Sequence, residues 1–154
     1  MIPRLDLNGS YTGEIDARGI TVDNDVEIGQ GFHASGEVSF YGARIGGGLD
    51  ARDGHFVRSK VEPQPSFALA QWKVALLASS AKIGGDVWFC CGFESLGAVF
   101  MQRAKIKGEV YAFDGRFINP HLTALDFSRS EIDGAIWLTP LTAQFKPTSC
   151  QRPH

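Results

Sequence analysis

What the chain lacks narrows it first. It has no run of about 18 apolar residues that would span a bilayer, and its opening stretch, M-I-P-R-L-D-L-N-G-S-Y, has no signal-like apolar core. Membrane association therefore finds no support in the sequence, and a soluble, cytoplasmic protein is the expectation. Charge of one sign is missing too: 15 Lys and Arg against 17 Asp and Glu leave a net charge of −2. Bulk electrostatics then gives no reason to expect a nucleic-acid partner. There are three cysteines, two of them the adjacent Cys90 and Cys91. That is no disulfide framework, and a reducing compartment fits it.

Motifs that carry chemistry are scarce as well. The stretch from Ile28 to Gly36 lacks the G-x-G-x-x-G spacing and any strand–helix–strand context, and Gly46-Gly47-Gly48 is not followed by Lys-Ser/Thr. Both read as turn glycines, expected at positive φ. His33, His55, His121 and His154 share no ligand spacing. The two vicinal cysteines should point to opposite sides of a strand. No catalytic residue, metal site or cofactor is assigned, and the chain is not expected to be an enzyme.

What is present is repetition. Slid along itself, the chain superposes Asp25-Val26 on Asp86-Val87 and Gly31-Phe32 on Gly92-Phe93 without a gap. The match continues through Gly47 on Gly108 to Gly54 and Phe56 on Gly115 and Phe117. A finer period lies inside. Ile15, Val26, Val38 and Leu49 recur at a short and nearly constant interval. Leu76, Val87, Val99 and Val110 repeat it, with Leu125 and Ile136 as a partial third set. A second apolar residue often follows two positions on, as a short strand with alternate residues buried requires. Between these come A-x-I-x-G elements such as Ala43–Gly47 and Ala104–Gly108.

A coil only one such interval long has no interior room for Phe32, Phe40, Phe56, Phe89, Phe93 and Phe117. A coil of about 22–23 residues with four short faces does, stacking at roughly 4.8 Å. The expected fold is all-β, a right-handed β-solenoid over residues 1–138. An inserted loop is expected at 57–75, where Pro63-Gln64-Pro65 cannot continue a ladder and the connection outruns its later counterpart by half a coil. Residues 139–154 read as an irregular C-terminal tail.

The segments A-R-I-G-G-G-L-D-A and A-K-I-G-G-D-V-W-F, with their G-F-x-x-x-G-x-V links, resemble bacterial pentapeptide-repeat-like and bactofilin-style β-solenoid proteins. Some relatives of that style are labelled "membrane-associated oxidoreductase". The resemblance implies a solenoid; no oxidoreductase motif accompanies it here.

Two sets of outward residues are candidates for function. Immediately after each strand apolar, the N-terminal copy carries Asp16, Glu27, Ser39 and Asp50, whereas later coils carry Leu77, Trp88, Phe100, Tyr111, Asp126 and Trp137. Trp88, Tyr111 and Trp137 should form an aromatic column on one face, with Phe100 on the opposite one. Exposed aromatics of this kind mark partner surfaces. The expectation is a structural or interaction scaffold with a protein partner or a homo-oligomer, and a carbohydrate as the other ligand class. The second set is acidic: Glu14, Asp25, Glu37, Asp86 and Glu109 precede the strands. A pair near Asp86 and Glu109 would suit a carbohydrate-active β-helix enzyme. Read as surface charge, the acids would be offset by Arg44, Lys82 and Lys105.

Overall fold

The structure is a computed structural model describing residues 2–57, 74–119 and 123–138. Most of the inserted loop and the whole C-terminal tail anticipated above lie outside the described residues. Within them every regular element is a strand, mostly two residues long, and every pairing is parallel. The chain is a β-solenoid of about five turns.

Each turn contributes one strand to each of four faces. The first face carries Leu5–Asp6, Val26–Glu27, Leu49–Asp50, Val87–Trp88, Val110–Tyr111 and Ile136–Trp137. The second carries Tyr11–Thr12, His33–Ala34, His55–Val57, Glu94–Leu96 and Arg116–Ile118. The third carries Ile15–Asp16, Val38–Ser39, Val74–Leu77, Ala98–Phe100 and Leu125–Asp126. The fourth carries Thr21–Val22, Arg44–Ile45, Lys82–Ile83, Lys105–Ile106 and Glu131–Ile132. Val26 pairs with Leu49 and Val87 with Val110, each skipping one member of the short repeat. The short period is thus half a coil, and its alternate members land on the first and third faces.

The interior explains why the longer repeat spans two coils rather than one. Just before the second-face strand, successive coils carry Phe32, Gly54, Phe93 and Gly115; two residues later they carry Ala34, Phe56, Ser95 and Phe117. Large and small residues alternate at both positions, and out of phase. A Cβ on Gly54 would lie 2.9 Å from the Phe56 ring, and one on Gly115 would lie 2.8 Å from Phe117. Each of these rings therefore folds back over its own glycine, into the space that a preceding phenylalanine fills in the neighbouring coil. The result is a continuous ring stack, with centroids 5.2 Å apart for Phe32–Phe56, 5.4 Å for Phe56–Phe93 and 5.1 Å for Phe93–Phe117. Interdigitation of this kind holds a core at crystal-like density.

The glycine pairs serve a purpose other than the expected one. Gly46, Gly47, Gly84, Gly85 and Gly108 do not have positive φ. A Cβ on any of them would run into the neighbouring coil. At Gly47 the obstruction is the Asp25 carboxylate, and at Gly108 it is that of Asp86. Those carboxylates accept hydrogen bonds from the backbone N–H of Gly48 and of Glu109, both at 2.8 Å. One acidic side chain per two coils thus clamps the next coil through a gap that only glycine leaves open. Positive φ occurs at the corners instead, where Gly19 and Gly42 give way to Ser80, Arg103 and Arg129 at the same place in later coils.

Candidate functional site

A recurrent corner bond sets the background for the first face. Where an Asp follows the strand apolar, its carboxylate accepts the backbone N–H two residues on: Asp6 from Asn8, Asp16 from Arg18, Asp50 from Arg52 and Asp126 from Ser128. Ser39 does the same for Tyr41 through its hydroxyl. This is an Asx-type turn, and it satisfies a corner donor that the short strands leave over. The bond holds the Asp126 carboxyl below the ordinary carboxylate range, the Ser128 N–H being the main cause. Trp88, Tyr111 and Trp137 occupy the same register position as Asp50 on the first face, and none of them can make this bond.

The column they form is ordered by its neighbours. Trp88 and Tyr111 stack with ring centroids 4.2 Å apart and planes 12° from parallel. On the other side of Trp88 the Arg52 guanidinium lies 4.6 Å from the ring centroid. Arg52 is itself buried and held by Asp50, with Nη2 2.6 Å from Oδ2. The Tyr111 hydroxyl donates to the Glu109 carboxylate, which also accepts the Trp137 indole N–H at 3.4 Å. Burial first, then the bond to Glu109, raises the Tyr111 hydroxyl above its ordinary pKa. Trp88 and Tyr111 are half-buried, and Trp137 is 44% exposed.

The covered ring faces limit what can bind. With Tyr111 on one side of Trp88 and Arg52 on the other, Trp88 presents only its edge. A sugar stacks on a ring face, so Trp88 is not a platform for one, whereas a protein side chain packs readily against aromatic edges. Phe100 does lie on the opposite third face, paired in register with Leu77 and Asp126, and is half-buried.

Several other expectations change. Asp86 and Glu109 do lie close together, but Asp86 is engaged by the Glu109 backbone and Glu109 by the two aromatic donors. The acids are not neutralised by Arg44, Lys82 and Lys105; those stand in a separate row on the fourth face. Cys90 and Cys91 are not on opposite sides of a strand. They sit at the corner after the Val87–Trp88 strand, where Cys91 has φ 59° and the two sulfurs are 2.9 Å apart. Cys90 is free and buried, and desolvation pushes its thiol up to about 12.

Coil stacking also makes neighbours of His33 and His55, which linear spacing had separated. Even so, no cluster of three metal-ligating side chains forms among the described residues. None of these residues forms a helix long and apolar enough to cross a membrane. No protein-family model, curated protein or solved structure matches the chain.

Proposed function

We propose that this chain is an interaction scaffold, a rigid solenoid whose first face docks a protein surface through Trp88, Tyr111 and Trp137. One observation carries the reading. At a single register position the face changes from acidic residues, of which Asp6 and Asp50 bond their own corners, to aromatics, which forgo that bond. Keeping that position aromatic through three successive coils is explained by what packs against it.

The partner best suited to the face is a second copy. The face's N-terminal half bears the exposed Arg4 beside Glu27, and its C-terminal half is aromatic. A two-fold contact laying one half on the other would set Arg4 against aromatic edges twice over. The carbohydrate-active alternative is less well supported, because Asp86 and Glu109 are occupied as structural acceptors.

Light scattering over a concentration series tests the proposal. The expected mass is a multiple of 16.8 kDa for the native chain, falling to the single-chain value in a Trp137→Asp variant that keeps its circular dichroism spectrum. A native chain that stays monomeric at every concentration, or a variant that associates as before, sinks the self-docking reading.

A further inference from the structure

The fourth face carries a feature that the first does not explain. Its outward strand positions run Thr21, Arg44, Lys82, Lys105 and Glu131 on successive coils, in strict register. Three cations thus stand one strand spacing apart, roughly 4.8 Å, and Lys107 projects from the adjacent row. All four are exposed, and among the described residues none of them makes an ion pair or a side-chain hydrogen bond. Like charges directly opposite each other on paired strands are destabilising. Acids were available to break the row, since Asp23, Glu131 and Asp133 bound it at its two ends.

Shape accompanies the charge. Just past Arg44 and Lys82, Gly46 and Gly84 raise no side chain, so a groove of about 470 Å³ runs across the strands beside the cationic row. Its lining is mainly apolar, and since Ile45 and Ile83 turn their side chains into the core, it consists of strand backbone and the aliphatic stems of the flanking cations.

We propose that this groove binds a linear acidic polysaccharide, a chain of 1→4-linked uronic acid residues laid across the coils. In a two-fold chain of this kind successive residues turn their carboxylates to alternate sides, so those facing the protein recur about two strand spacings apart, which is the separation of Arg44 and Lys105, with Lys82 between them. The sugar's apolar C–H face rests on the backbone at Gly46 and Gly84, between the aliphatic stems of Arg44, Lys82 and Lys105. Arg44 can grip a carboxylate with two parallel N–H bonds, while the lysines act as point charges. A single-stranded nucleic acid fits less well, because its binding grooves supply aromatic platforms for the bases and this groove is lined by none. The site uses the fourth face, so it stands or falls independently of docking on the first.

Calorimetric titration of the full chain with hexagalacturonate at low salt tests it. The controls are a neutral hexasaccharide and a single-stranded DNA of equal charge. Binding is expected to be specific to the uronate and to weaken with salt. It should fall on the order of ten-fold in Lys82→Glu and again in Lys105→Glu, with little change in Arg18→Gln on another face. If Lys82→Glu lowers the melting temperature, Lys82→Gln carries the test and should weaken binding to a lesser degree. No uronate binding at low salt overturns the proposal, as does binding indifferent to the lysines. Equal or tighter binding of the DNA overturns it too, and reassigns the groove to nucleic acid.

Discussion

Ser95 shows how closely each interior position is specified. It is fully buried opposite Phe56 and Phe117, and its hydroxyl has no hydrogen-bond partner among the described residues. The position must be small, because Phe93 fills the space beside it, but nothing there requires it to be polar. A buried hydroxyl without a partner costs roughly 1–3 kcal/mol. Ser95→Ala should therefore stabilise the fold by about 1 kcal/mol, read as a higher urea midpoint at unchanged slope. A drop in the midpoint of similar size would mean that the hydroxyl is bonded after all. Size at this position was readable in the sequence, through the two-coil offset of the phenylalanines. The unmet hydroxyl was not, because it depends on what stacks above and below.

At the scale of the strand and its corner, the clamp between coils is the unit to test. Asp86 reaches the Glu109 N–H only because Gly108 has no Cβ. Gly108→Ala should expel that carboxylate and strain the backbone of Gly85, destabilising the fold by roughly 2–3 kcal/mol. Asp86→Ala should cost less, because it removes one bond and adds no clash. Thermal melts of the two variants give the order, and a Gly108→Ala protein as stable as the native chain would remove the clamp from the account.

The strands themselves were evident from the half-coil period, since V-x-F patterns need no tertiary information. The clamp had a signal as well: Asp25 with Gly47 and Asp86 with Gly108 keep the same offset across the repeat. Glycine's tolerance of positive φ does not reveal it, because these glycines serve the close approach of the next coil. The cationic row was hidden for a related reason. Arg44, Lys82 and Lys105 are unevenly spaced along the chain, and they become neighbours only once the coil length and the inserted loop are both known.

Across the whole molecule, stability is a chain of nearest-neighbour contacts, since each coil touches only those above and below it. Val99 is completely buried on the third face, between Leu76 and Leu125. A carboxylate there has no partner in the apolar stack, so Val99→Asp should cost more than about 4 kcal/mol. The damage should spread to the adjoining coils first. Hydrogen exchange would show amides protected in the N-terminal coils and lost around residues 76–125. A cooperative melt at the native temperature would instead place Val99 outside the core.

The alternation of phenylalanine with glycine and with small residues gives the stack a parity. From Phe32 to Phe117 its coils are of two kinds, and each accepts only the other as a neighbour. Excision of residues 87–109 would set the Phe56 coil directly on the Phe117 coil, with two rings contending for one layer and a void where two glycines meet. Excision of a matched pair of coils would leave every ring facing a gap of its own size. A chain with this interior is expected to lengthen or shorten by even numbers of coils, whatever its outer faces come to bind.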